Sequence, residues 1–239
     1  MGGRMSFEGV YDDSDPQPGT DEGSTFEEPL LPDPTGDLAP APDVGGPPQS
    51  SAPADFTPDP DATAGWHEQQ AGHSCAVVGQ EFLIDRFTGV DHTEEELAAV
   101  AEAHDWYRPG VGTPLEDVGN LLEYYDVPVE RSQGESLDSL STALSEGEGV
   151  LVALDSDELL AADPETLRLA DAAGIPGQGA DHVVQVIGFD RSDPGDPRVI
   201  LNDPGRPDGA GLEVPEADFL AAWDDSERFT VIAGGNRHA

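Results

Sequence analysis

The chain has 239 residues, 50 of them acidic and 10 basic, for a formal charge of −40. All ten basic residues are arginine, and against 50 acids they leave no basic patch to release counterions, so a nucleic-acid partner is not expected. A single cysteine, Cys75, excludes an intramolecular disulfide, and no apolar run is long enough to cross a bilayer.

Residues 1–60 carry 12 of the 22 prolines, with 13 acids against one arginine. Such a segment buries too little apolar surface to offset its chain entropy. A disordered, acidic, Pro-rich tail is therefore expected over 1–63, and one folded domain over 64–236. The tail serves solubility alone, or else Tyr11, Phe26 and Leu30-Leu31 form a docking motif. Met1 to Ser6 show neither an apolar signal core nor twin arginines, so a cytoplasmic location is expected.

Within the domain, Ala76 to Phe87 reads as a helix that begins at the cysteine. Thr93-Glu94-Glu95-Glu96 is a capping box that opens a second helix, running to about His104. Pro114 to Tyr125 reads as a third, with Leu115, Val118, Leu121, Leu122 and Tyr125 on one face. Leu137 to Leu144 is a short fourth. Gly149 to Leu154 is a buried apolar strand. Leu159 to Ala173 looks like a helical insertion. His182 to Phe189 and Arg198 to Leu201 are strands on either side of a turn-rich segment. Gly211 to Val214 is a short strand, Glu216 to Trp223 a helical turn, and Phe229 to Ala233 closes the sheet. Helices followed by antiparallel strands make the fold α+β.

The polar residues of this frame suggest thiol chemistry. A cysteine nucleophile needs a positive environment and a base. Cys75 at a helix start gains from the dipole and from unpaired backbone N–H groups. His182 begins one strand and Asp203 ends the next, so an antiparallel pair sets them side by side as base and orienting carboxylate. Gln69, one short loop before the thiol, is an amide donor placed for an oxyanion. Each residue alone has an ordinary reading: a buried apolar cysteine, a strand-end histidine, a turn aspartate, a surface glutamine. Their order and spacing together favour a catalytic site.

The pattern Gln69-x5-Cys75, then Asp181-His182-Val183-Val184-x-Val186-x-Gly188, then Val199-x-x-Asn202-Asp203-Pro204 resembles papain-like cysteine peptidases of the bacteriocin-processing (family-39) type. It is most similar to their stand-alone domains, over about residues 66–235. Ser74-Cys75-Ala76 stands where that family often has Asp-Cys-Gly. No transporter or nucleotide-binding region follows, so a role in peptide export is not expected. The resemblance implies a papain-like fold in which N-terminal helices pack on an antiparallel sheet. It implies Cys75 as nucleophile, His182 as general base and acid, Asp203 as orienter and Gln69 in the oxyanion hole. Gln70 remains an alternative to Gln69, and Asn202 an alternative orienter. The implied activity is hydrolysis of peptide or amide bonds in a peptide or protein substrate. A fold kept for peptide binding without turnover, and acyl transfer or amide cross-linking by the same residues, stay open.

No metal or cofactor is called for. His67, His73, His92 and His104 lack metal-ligand spacing. His73 either perturbs the thiol or is an exposed loop histidine. Trp66, Trp106-Tyr107 and Trp223 read as core and cleft packing. Gly110 to Pro114 reads as a helix-entry turn. Asp155, Asp157, Glu158 and Asp163 read as a solvated acidic face. The Leu159–Gly179 segment either covers the cleft or is a neutral insertion. The charge resembles that of proteins from extreme halophiles, since self-repulsion is screened when the Debye length falls to roughly 3 Å at 1 M salt. A cationic partner or a metal-rich surface is the other reading. Oligomeric state is not legible.

Overall fold

The computed structural model describes residues 57–58, 61–160 and 179–235. The acidic tail and most of the Leu159–Ala173 insertion lie outside them. The first helix, α1 (Cys75–Thr88), carries the fold. Every residue from Cys75 to Ile84 is buried, so the helix is not a surface element with one wet face but a core element with neighbours all round. It ends at Gly89, whose left-handed backbone lets its N–H return to the Asp85 carbonyl. Helix α2 (Glu94–Ala103) starts at the expected capping box: Thr93 Oγ1 accepts from Glu96 N–H, and the Glu96 carboxylate accepts from Thr93 N–H.

The expected third helix is broken in two. Leu115–Asp117 form a 3₁₀ turn, and α3 spans only Asn120–Tyr124. Val118 is extended and Gly119 has φ 103°, so the helical hydrogen bonds cannot run through them. The start of α3 is capped from outside. Gln80 of α1 accepts from Gly119 N–H and Leu121 N–H with its buried side-chain oxygen.

Strand β1 (Val129–Ser132) was not foreseen; it is short, carries Glu130 and Arg131, and lies at the sheet edge. Then follow α4 (Leu137–Ser145), β2 (Gly149–Leu154), α5 (Ser156–Leu160), β3 (His182–Asp190), β4 (Arg198–Asn202), β5 (Ala210–Pro215), α6 (Glu216–Asp224) and β6 (Thr230–Ala233). The six strands form one antiparallel sheet in the order β1-β6-β2-β3-β4-β5. The apolar core lies on both of its faces. Leu151, Ala153, Val183, Val231 and Ala233 meet α1, α2 and α3. Val150, Val152, Leu154, Val184, Val186 and Leu201 meet α4 and α6. This double covering explains why β2 and β3 read as continuous apolar runs rather than alternating ones.

One expectation is corrected here. Asp155 and Glu158 are buried, not a solvated face. The Asp155 carboxylate accepts from the N–H groups of Asp157, Glu158 and Gly179, so it caps α5 and ties down the chain just before β3. The Ala62 carbonyl accepts from the Asn202 side chain, which ties the entering chain to the end of β4.

α1 crosses the sheet at very short range. A Cβ on Gly149 would lie 2.4 Å from Leu83 Cδ2, whereas one on Gly79 would make ordinary contacts of 3.5 Å to Leu151 and 3.6 Å to Val183. Gly149→Ala is therefore expected to cost about 1–3 kcal/mol through overpacking. Gly79→Ala should be neutral or stabilising by up to roughly 1 kcal/mol, because it removes glycine from a helix interior. Urea unfolding of both variants in concentrated salt checks this; equal effects would contradict the stated α1–sheet approach.

Candidate active site

Cys75 is the first residue of α1 and is buried. Its place there follows from Ser74, which takes the N-cap position but makes no side-chain cap to the helix. The Ser74 carbonyl accepts from Val77 N–H and Val78 N–H, closing the first turn. The N–H groups ahead of that turn have no intrahelical partner, as at any helix start, and they point toward the thiol end of the helix.

The sheet brings the histidine and the carboxylate to this helix end. In the β2–β3 pair, His182 lies opposite Leu154. In the β3–β4 pair, Gln185 lies opposite Asn202, so Asp203 leaves β4 where β3 begins. His182 Nε2 is 2.6 Å from Asp203 Oδ1. Asp203 is fully buried, and its Oδ1 also accepts from Gly205 N–H at 2.8 Å. Cys75 also lies close enough to the imidazole to favour its charged form. Since Asp203 takes Nε2, the ring nitrogen left for the thiol is Nδ1. Burial alone would lower the imidazole pKa from 6.5, but the bond to Asp203 and the nearby Cys75 outweigh it and raise the value to about 10. Gly205 packs against the ring: a Cβ there would fall 2.9 Å from His182 Cε1. Trp66 Nε1–H donates to the Asp203 carbonyl, so the indole braces the turn behind the carboxylate.

Gln69 sits in the loop before the thiol. Its backbone N–H donates to the Pro204 carbonyl at 2.8 Å, joining this loop to the Asp203 turn. Its side-chain Nε2 donates to the Ala71 carbonyl at 3.1 Å, which engages one of the two amide hydrogens. Gln70 is exposed. Asn202 is directed elsewhere: its Nδ2 donates to the Ala62 carbonyl and to Gln185 Oε1, and its Oδ1 accepts from Gly211 N–H. His182 meets Asp203, and Asn202 brackets β3, β5 and the entering chain.

Other histidines have settled partners. His73 is an exposed loop residue with φ 68°. His92 Nδ1 lies 2.8 Å from Asp85 Oδ1, and His104 stacks on Trp106. His67 Nε2 lies 3.1 Å from Glu81 Oε1. Burial pushes the Glu81 carboxyl up to about 7, against the pull of His67. His67 is itself raised; burial lowers it, but the Glu68 carbonyl and the Glu81 charge prevail. Among the described residues no cluster of His, Cys, Asp or Glu has a metal-binding arrangement, and no helix is long and apolar enough to cross a membrane.

One residue of this neighbourhood was missed as such. Glu94 reads in the sequence as one glutamate of a capping run, yet its buried carboxylate meets Gln70, Ala71 and Ser74. The nearest local signal was the helix start itself, which says nothing of a loop more than one helix away.

No protein-family profile matches the chain. Uncharacterized proteins of Mycobacterium tuberculosis and Mycobacterium bovis are each 27% identical to it over 199 residues, covering 73% of this chain and 82% of theirs. Among solved structures, a putative C39-like peptidase from Bacillus anthracis superposes with a TM-score of 0.50 at 15% identity, covering 72% of this chain and 94% of that one. The described part of the chain thus has the α+β, papain-like fold of the C39-like peptidases.

Proposed function

We propose that this protein is a thiol-dependent hydrolase of peptide or amide bonds, with Cys75 as nucleophile, His182 as general base and acid, and Asp203 as orienter. The observation that carries the reading is His182 bonded to a fully buried Asp203 and set beside Cys75 at the start of a buried helix. A protonated His182 is the positive neighbour that a reactive thiolate needs. Sγ attacks the substrate carbonyl carbon, and the carbonyl electron pair moves to oxygen. The Gln69 amide and the Cys75 backbone N–H receive that oxyanion. His182 gives its proton to the departing amine as the C–N bond breaks. Water, deprotonated by the now neutral His182, then attacks the thioester and frees the acid, and the sulfur regains its ion pair. The fold likeness to C39-like peptidases supports a peptide or protein as substrate.

Alkylation by iodoacetamide at pH 6 tests the pair directly. The parent should label rapidly and His182→Ala at least about 10-fold more slowly, since an unpaired thiol with a pKa near 8.5 is scarcely ionised there. Slow labelling in both would favour a domain that binds without turnover. If the parent is reactive, release of product to an added amine in place of water would favour acyl transfer.

Stability should carry the histidine's signature. Its folded pKa of about 10 lies above the ordinary 6.5, so the charged imidazole contributes fully below 6.5 and is lost as pH rises through about 10. The stability gap between the parent and His182→Ala, measured by urea unfolding, should narrow across that window. A gap independent of pH would contradict the bonds assigned to the ring.

Salt should matter to the whole chain. With a charge of −40, cooperative unfolding is expected at about 1 M NaCl and is expected to be lost near 0.05 M, where screening is weak. A sharp transition and full activity at the lower salt would remove the halophilic reading.

A further inference from the structure

Glu94 lies at the first position of α2 and is 5% exposed. Its carboxylate is turned away from its own helix and onto the loop before the thiol. Oε2 accepts from Gln70 N–H at 2.7 Å, and Oε1 accepts from Ala71 N–H at 3.0 Å. The Ser74 hydroxyl proton is shared between Glu94 Oε1 and the Ala71 carbonyl oxygen, each 2.7 Å away. That same Ala71 carbonyl receives the Gln69 side-chain N–H. One buried anion therefore holds Ala71 by its N–H, and Ala71 in turn holds the amide of Gln69. Ser74 makes no side-chain cap on α1, so the first N–H groups of that helix have no side-chain acceptor from it.

We infer that Glu94 is a positioning residue for the oxyanion site: acting through Ala71 and Ser74, it holds the Gln69 amide and the start of α1 around the place where substrate oxygen becomes negative. This rests on the thiol-hydrolase reading above. Two backbone N–H groups and a hydroxyl converging on a buried carboxylate are strong, directional bonds. The opposite end of the loop is pinned by Gln69 N–H on Pro204, so the loop has little freedom except through Glu94. Preorganised donors of this kind act on the developing charge rather than on ground-state binding.

The test separates the oxyanion donors from the thiol–imidazole pair. The probes are p-nitrophenyl acetate, which needs oxyanion stabilisation, and iodoacetamide, which has no carbonyl attack at its reacting carbon. Glu94→Ala should lower kcat/KM for the ester about 10²-fold, the size expected for losing an oxyanion donor, and through kcat rather than KM. Its iodoacetamide rate at pH 6 should stay within about twofold of the parent, because Cys75 and His182 are untouched. Glu94→Gln keeps one acceptor oxygen and should recover part of the loss, to about 10-fold below the parent; it decides the matter if Glu94→Ala does not fold. Ester rates equal to the parent in Glu94→Gln would overturn the inference. So would an equal fall of both probes, which would mark Glu94 as a support of the fold. A parent with an unreactive thiol would remove the hydrolase reading and this inference with it, whereas a reactive parent with unaffected ester rates would remove this inference alone.

Discussion

The burial of α1 between the sheet and its neighbouring helices is the constraint on which the rest depends. A helix with Cys75 to Ile84 all buried must find apolar or hydrogen-bonding partners in every direction. Gly149 lets Leu83 press onto the sheet, where a Cβ would lie 2.4 Å from Leu83 Cδ2. The direction of this helix is then set by packing rather than by its own propensity, and its first turn is delivered to the end of β3. The thiol is where it is because a core helix starts there.

Polar groups inside that packing do the joining. Gln80 uses its buried carboxamide to cap α3 from within α1. Asn202 ties β4 to β3, β5 and the entering chain. Asp155 ties Gly179, just before β3, to the start of α5. Glu94 gathers the loop before Cys75, and the Gln69–Pro204 bond fastens that loop to the turn that holds Asp203. Each spans elements far apart in the chain, and each would be costly to leave half satisfied. The end of the fold that holds Cys75, His182 and Asp203 is thus framed by hydrogen bonds, while the sheet is framed by apolar packing on two faces.

The charge on the surface obeys a different logic from the charge in the core. The excess of acids, 50 against 10 basic residues, adds self-repulsion that salt screens. The buried acids are few and specifically bonded: Asp203 to His182 and Gly205, Glu94 to its loop, Glu81 to His67. Composition counts both kinds alike. Geometry separates them, because only a paired or hydrogen-bonded carboxylate is tolerated out of water.

Much of this was legible from local pattern. The capping box at Thr93, the apolar runs of β2 and β3 and the helix beginning at Cys75 are nearest-neighbour signals, and such signals survive folding. The order Gln69, Cys75, His182, Asp203 could be read because hairpin geometry follows from strand length and turn placement. The break at Val118-Gly119 was missed because the apolar spacing continues across it; the extended Val118 and the positive φ of Gly119 interrupt the helix, and Gln80 caps its restart. Asp155 and Glu158 looked solvated because an acidic string carries no mark of what covers it. Glu94 looked like a capping glutamate because its loop partners lie outside its helix. The sequence by itself determined most of the helix and strand segments, β1 and the break in the third helix apart, and which residue types are present to do chemistry. Tertiary structure alone decided which of two adjacent residues, Asn202 or Asp203, meets His182, because that choice turns on which side chain the end of β4 aims at the ring and which it spends on holding the sheet.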